Sequence, residues 1–255
     1  MPLQAVRNRS LADEVFSQLM NEILRGHYQP GVNLPPERSM TQIFHVNRHV
    51  IREALKRLEQ LGVVTISQGG GTRVLDYRQH GGIDLLPLLG QYLEGTPDGM
   101  LLWRSVLEMR AAIATDMVRL CAMRASVDVR SDLEIIAAEL ERTSAPQAIY
   151  DQEVKFWYRI ADGCDNLAYR LALNGIVRGT AIDMDLCYRL IAWEVRAARY
   201  RIPLATFIAA GDVDRAEAEV RRTMRAALDA FYQRFVGSGA VSEAPRATLV
   251  EKPTL

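Results

Sequence analysis

Apolar residues recur every three or four positions through the first quarter of the chain, and this spacing predicts three helices. The first helix begins at Ser10, which can form a capping box with Asp13, and ends before Gly26. The second begins within residues 34–38 and ends near residue 46. The third covers Arg48–Gln60, with Asn47 as its N-cap, and its apolar face contains Val50, Ile51, Ala54, Leu55 and Leu58.

A β-hairpin is predicted directly after the third helix. Residues 63–67 are rich in β-branched side chains, residues 72–75 form a second short apolar strand, and the glycine-rich tip Gln68–Gly71 joins them. Three helices followed by a two-stranded wing are typical of a winged helix-turn-helix, which we assign to residues 1–75. The third helix would be the one that reads DNA.

Helical periodicity dominates the rest of the chain. Residues 76–83 are polar with two glycines and are predicted to be a linker, and residues 84–236 carry a series of long helical patterns with short connections. Residues 237–255 lack any period and are predicted to be a flexible tail. The fold class is therefore mainly α, with an N-terminal winged helix-turn-helix and a C-terminal antiparallel all-α helical bundle.

Composition narrows the class of protein further. The 255 residues have zero net charge, yet residues 1–78 hold ten Lys and Arg against seven Asp and Glu, so this end is +3 and the remainder −3. The three cysteines are too scattered for a disulfide framework. The sequence shows no apolar run long enough to span a membrane and no signal-peptide pattern, so we expect a cytoplasmic protein without a membrane partner. The bundle has no histidine, and an enzyme is not expected.

The third helix carries cations on the face opposite its apolar side. Arginine reads guanine edges and phosphates in the major groove, and helix N-termini attract phosphates. The predicted DNA contacts are Arg38, Asn47, Arg48, His49, Arg52 and Lys56, together with the wing residues Gln68, Gly69 and Gly70. The alternative is an ordinary solvated basic face. His45 and His49 have a zinc-compatible spacing but no third ligand nearby, so no metal is predicted.

The motifs in the first third of the chain resemble the signature of the GntR family of bacterial regulators. They are Leu34–Arg38, Val46–Arg48, Ile51–Leu55, Leu61–Gly62 and Gln68–Gly71. The resemblance implies that Arg38, Arg48, Arg52 and the wing contact operator DNA. It also implies a homodimer that reads a palindromic double-stranded operator.

The bundle resembles the FCD ligand-binding domain of the FadR branch of this family, through Leu107–Arg110, residues 153–166 and Ala210–Asp212. Many FCD domains bind a divalent metal through an Asp and three His. Those positions fall here on Glu153, Trp157, Arg201 and Thr223, so the resemblance implies a metal-free domain without a cofactor. The metal-free fatty-acid regulators of this branch bind long-chain acyl-CoA thioesters. The resemblance therefore implies a similar effector that lowers operator affinity.

Polar residues on otherwise apolar helix faces are the candidates for effector binding. The predicted residues are Arg110, Glu153, Trp157, Asn174, Thr223 and Phe231. A buried arginine needs a partner, so Arg110 would pair either with Glu153 or with a ligand anion. Two ligand classes stay open at this point, an acyl-CoA and a small organic acid held by Arg110. A DNA-architectural or protein-interaction module without a ligand is a further alternative.

Overall fold

The computed structural model describes residues 10–67, 69–93, 96–180 and 201–235. It divides the chain into two compact units, Met1–Leu88 and Leu89–Leu255. The predicted tail, residues 237–255, and parts of the predicted helices within 181–200 lie outside the described residues.

Three helices of the first unit agree with the sequence pattern. They are α1 (Leu11–Leu24), α2 (Glu37–Ile43) and α3 (Arg48–Gln60). The capping box of Ser10 and Asp13 is present, and the Asn47 side chain accepts a hydrogen bond from the Val50 amide at 3.1 Å. Pro36 is the N-cap of α2.

The wing consists of β1 (Val64–Ser67) and β2 (Gly71–Val74), paired antiparallel with Val64 opposite Val74. A further segment lies along the free edge of β2, because Asn33 forms a bridge with Arg73 and the Leu34 amide donates to the Thr72 carbonyl at 2.8 Å. The pattern of residues 31–34 did not predict this pairing. It fixes the wing to the segment that leads into α2.

Helix α1 packs against α3 to form the core of the first unit. The side chains from α3 that fill this core are completely buried, at 0% exposure: Ile51, Ala54, Leu55 and Leu58. Their burial leaves the opposite face of α3 in solvent, as amphipathic spacing requires. The cationic face of α3 is therefore held outward by its apolar face.

The segment after the wing contains a helical turn. Helix α4 covers Tyr77–His80, inside the predicted linker of residues 76–83. Gly62 has φ +70°, and a Cβ atom placed there would lie 2.2 Å from the His80 carbonyl oxygen. This close approach requires glycine at position 62.

The described residues after α4 form seven further helices. A 3₁₀ turn at Ile83–Leu85 leads into α5 (Leu86–Tyr92), and α6 begins after Thr96. The other helices are α6 (Pro97–Arg124), α7 (Val127–Arg142), α8 (Pro146–Cys164), α9 (Leu167–Thr180), α10 (Arg201–Ala210) and α11 (Val213–Phe235). Among the described residues, no helix combines the length and apolarity needed to cross a bilayer.

Helix α6 is the centre of the second unit, where it packs against α8, α10 and α11. Arg130 on α7 joins the ends of two of these helices, because its guanidinium donates to the carbonyls of Ala122, Ala125 and Ala209 at 2.8–3.0 Å. These carbonyls belong to helix C-terminal turns and the residue after α6, which lack intrahelical donors. One arginine therefore satisfies backbone groups at the ends of both α6 and α10.

Candidate nucleic-acid interface and effector site

The DNA contacts predicted from sequence form an exposed surface wherever the structure describes them. Arg38 lies in the first turn of α2, and the others on α3 share its solvent face or its N-terminus. The exposed residues are Arg38, Asn47, Arg48, His49, Arg52, Lys56, Gly69 and Gly70. Gln68, the remaining predicted contact, lies outside the described residues.

Asn47 is the N-cap of α3. Its Oδ1 atom accepts the hydrogen bond from the Val50 amide, so its amide nitrogen is the group left to face a ligand. The preceding turn includes His45 at φ +52°, a left-handed conformation that separates α2 from α3. The exposed helix N-terminus adds a positive dipole end to the arginine face.

An acidic residue that the sequence reasoning overlooked lies beside this face. Glu37, the first residue of α2, accepts a hydrogen bond from Nε of Arg48 at 2.8 Å. Its other carboxylate oxygen lies 3.5 Å from Nε of Arg52. The spacing of Arg48 and Arg52 predicted a shared face, but the contact with Glu37 depends on the angle between two helices.

A buried ion pair lies in the core of the second unit. Arg201 of α10 is 0% exposed, and two of its three guanidinium nitrogens, Nε and Nη2, donate to the two carboxylate oxygens of Glu153 on α8, with an Nε–Oε1 distance of 2.8 Å. The guanidinium carbon also lies 5.1 Å from the Phe156 ring centre and 5.0 Å from that of Trp157. A bidentate carboxylate and two aromatic rings thus surround this cation.

Trp157 connects this ion pair to Arg110. The guanidinium carbon of Arg110 on α6, a half-buried residue, lies 6.0 Å from the Trp157 ring centre. Trp157 is 6% exposed, and its Nε1–H group is buried with no hydrogen-bond partner in the described part of the chain. A donor in that position suits a ligand oxygen.

An open groove of about 290 Å³ lies between α6 and α11, and we call it the α6–α11 groove. Its lining combines apolar side chains with two arginines: Ala111, Thr115, Arg221, Met224, Arg225, Leu228, Asp229 and Tyr232. Arg221 is paired with Glu217. Arg225 is exposed and makes no ion pair with any other residue that the structure describes.

Comparison with known proteins assigns both units. Residues 11–74 match the bacterial regulatory proteins of the gntR family, and residues 105–226 match the FCD domain. The transcriptional regulator Mce2R of Mycobacterium tuberculosis is 33% identical over 213 residues, which cover 83% of this chain and 88% of that protein. The chain belongs to the GntR family. It is a DNA-binding, ligand-responsive transcriptional regulator with an FCD domain, and this family is not an enzyme family.

Two further similarities fit the GntR assignment. The fatty acid metabolism regulator protein of Edwardsiella ictaluri is 28% identical over 171 residues, which cover 67% of this chain and 70% of that protein. The solved structure of Lar from Listeria monocytogenes covers 89% of this chain and 99% of its own, with a TM-score of 0.55 and 16% identity. At that identity the second similarity supports the fold alone.

The positions that hold a metal in many FCD domains do not suit one in this GntR protein. Both carboxylate oxygens of Glu153 bind Arg201, and Trp157 offers only an N–H donor. The Thr223 hydroxyl is buried and donates to the Glu219 carbonyl at 2.9 Å. These four residues therefore do not provide the three neutral or carboxylate ligands that a metal site needs. The guanidinium of Arg201 supplies the positive charge at this place.

The structure bears on one pairing that the sequence left open, that of Arg110 with Glu153. Glu153 was a candidate partner for Arg110, and the structure pairs it with Arg201 instead. Asn174 is half-buried on α9 and makes no hydrogen bond to the cluster of Glu153, Trp157 and Arg201 within the described residues. The side chain of Phe231 lies outside the part that the structure describes, so its predicted contact with an effector stays a prediction.

The described cysteines are unsuited to nucleophilic chemistry. Cys121 and Cys164 are buried and free, and burial raises the pKa of the Cys121 thiol to about 12. A thiol with this pKa is protonated at neutral pH, whereas the thiolate is the reactive form. Cys187 lies outside the described residues.

Proposed function

We propose that this GntR regulator controls genes of fatty-acid or lipid metabolism, and that an acyl-CoA-type ligand lowers its affinity for the operator. The α6–α11 groove carries the proposal, because it places apolar side chains beside Arg221 and Arg225. Such a groove suits a ligand with an apolar chain and an anionic head group. The relative from Edwardsiella ictaluri is by name a fatty acid metabolism regulator protein, which supports the proposed control of fatty-acid metabolism.

DNA binding itself is proposed to use the exposed face of α3. Arg48 and Arg52 would contact base edges or phosphates in the major groove, with Arg38 on a phosphate and the wing tip on the backbone. A homodimer would present two such helices to the two halves of a palindromic operator. The ligand would favour one arrangement of the dimer and weaken DNA binding by its differential affinity for that arrangement.

A small organic acid is the second candidate effector. Its support is the buried Nε1–H of Trp157, whose ring centre lies 6.0 Å from the guanidinium carbon of Arg110 and 5.0 Å from that of Arg201. A carboxylate placed there would accept that hydrogen bond in a positively charged setting. The two candidates differ in size, in the residues they would contact and in the experiment that detects them.

Fluorescence anisotropy with a labelled duplex from upstream of the gene separates these possibilities. Long-chain acyl-CoA is added in one series, and small di- and hydroxy-acids in another. We expect acyl-CoA to release the DNA and Arg225→Ala to weaken that release without changing the affinity for DNA. Arg222→Ala, which removes a neighbouring arginine paired with Glu219 outside the groove lining, is the matched control.

The DNA interface has its own test in the same assay. Arg52→Ala is expected to abolish specific binding to the duplex while the circular dichroism spectrum stays that of the wild type. Unchanged affinity would show that α3 is not the reading helix. Release by small acids alone, with no effect of acyl-CoA, would refute the lipid effector and favour the second candidate.

A further inference from the structure

Glu37 lies where one carboxylate contacts two of the arginines proposed to read DNA, Arg48 and Arg52. The Glu37 side chain is 21% exposed, whereas those of Arg48 and Arg52 are 72% and 62% exposed. The Glu37 carboxylate is therefore largely shielded from solvent, whereas the guanidinium groups of Arg48 and Arg52 are exposed to solvent. Both contacts use Nε of the arginine, at 2.8 Å for Arg48 and 3.5 Å for Arg52.

The choice of nitrogen leaves the outer ends of these arginines available. An arginine reads guanine with two N–H groups directed at O6 and N7. Because Glu37 accepts from Nε of Arg48, this hydrogen bond uses neither of the two terminal Nη groups. Fixing a long side chain before DNA arrives also reduces the conformational entropy that binding would otherwise lose.

A carboxylate in this position acts against sequence-independent binding. DNA attracts proteins mainly through its phosphates, and that attraction grows with the number of cations at the surface. Glu37 lowers the local net charge of this group of three from +2 to +1, and its own charge repels phosphates. A surface that bound only the phosphate backbone would bind DNA more tightly without Glu37.

We propose that Glu37 is a positioning residue that determines specificity: it holds Arg48 and Arg52 for base reading and reduces their attraction to non-specific DNA. This inference rests on the proposed DNA interface of α3. Glu37 itself need not touch DNA. Its effect passes through the orientation and the charge of the two arginines.

The test compares specific with non-specific affinity. The wild-type protein first selects its preferred sequence from a randomised duplex library. Dissociation constants for that duplex and for a mixed-sequence duplex are then measured over a range of KCl concentrations. The variants are Glu37→Gln and Glu37→Asp, with Glu53→Gln as the matched control, because Glu53 is exposed on α3 and makes no ion pair within the described part of the chain.

We expect Glu37→Gln to reduce the ratio of specific to non-specific affinity about five- to tenfold, the loss of part of one base contact. Its binding to mixed-sequence DNA should become tighter, with a salt dependence steeper by roughly one unit per protomer. Glu53→Gln removes the same charge, so it should strengthen binding to both duplexes and keep their ratio. Glu37→Asp keeps the charge on a shorter side chain and should lose discrimination without gaining non-specific affinity.

The inference is overturned if Glu37→Gln and Glu53→Gln show the same ratio. A purely structural role would lower the melting temperature and both affinities together, and this outcome also overturns it. If Glu37→Gln fails to fold, Glu37→Asp decides the question by the same ratio. Failure of the wild type to select any sequence would instead refute the proposed interface, so the two failures are distinguishable.

Discussion

Replacing Glu153 with glutamine removes the negative charge of the buried ion pair while keeping the size of the side chain. Arg201 is 0% exposed and the Glu153 side chain 7% exposed, so neither charge is hydrated in the folded protein. In the variant the guanidinium stays in the core without the charge of Glu153. Breaking a buried pair in this way costs about 3–5 kcal/mol. We expect the free energy of unfolding of the second unit to fall by that amount.

The assay is urea and thermal unfolding followed by circular dichroism. A loss of this size corresponds to a melting temperature lower by roughly 10 °C for a domain of this length. The control is Glu108→Gln, which breaks an exposed pair with Arg104 at 3.6 Å, where the side chains are 53% and 43% exposed. Such pairs contribute about 0–1 kcal/mol. A loss for Glu153→Gln no larger than that of the control would refute the reasoning.

A double variant separates charge from packing. Glu153→Leu combined with Arg201→Met removes both charges and keeps apolar volume beside Phe156 and Trp157. Because neither charge then has to be desolvated, we expect the double variant to regain most of the stability that the single variant loses. If it stays as unstable as Glu153→Gln, the loss comes from packing and the electrostatic explanation is wrong.

Three further predictions concern stability and ligand response. Hydrogen bonds from Arg57 and Ser10 lower the pKa of Asp13 from 3.8 to about 2, so its contribution is present above pH 4 and is lost as the pH falls toward 2. Because Asp13 is 39% exposed, Asp13→Asn should cost only about 1 kcal/mol in urea unfolding at pH 7, and the cost should shrink as the pH falls through the folded pKa of about 2. Arg130→Met removes donors from three backbone carbonyls and should cost about 2–4 kcal/mol in the same assay, while a loss below 1 kcal/mol would contradict that role. EDTA should leave ligand-induced DNA release unchanged in anisotropy, since the residues at the FCD metal positions do not suit a metal; loss of the response would show otherwise.

Much of the first unit was predictable because its signals are local. Ser10 with Asp13, Asn47 and the glycine-rich wing tip each act on backbone groups a few residues away, and helical spacing placed Arg48 and Arg52 on one solvent face. The spacing of the wing residues likewise predicted β1 and β2 before any contact was known. These features follow from hydrogen bonds and periodicities that a short stretch of chain contains in itself.

The partners of the charged groups were not predictable in the same way. Glu153 meets Arg201 across 48 positions, Arg130 reaches Ala209 across 79, and Glu37 meets Arg48 across an interhelical turn. Several arginines in this chain have similar helical surroundings, so periodicity cannot select among them. The selection is made by helix packing, which brings one guanidinium within hydrogen-bond distance of a carboxylate and leaves the others apart.

The sequence by itself therefore determined the two-part architecture, the exposed cationic face of α3 and the family resemblance, because each depends on local spacing or on a contiguous motif. The tertiary structure decided that Arg201 pairs with Glu153, that Glu37 contacts Arg48 and Arg52, and that a groove opens beside Arg225. The physical reason is the distance along the chain over which each interaction acts. A charge in a low-dielectric core is stabilised only by what packing places beside it, and that neighbour is set by the positions of whole helices.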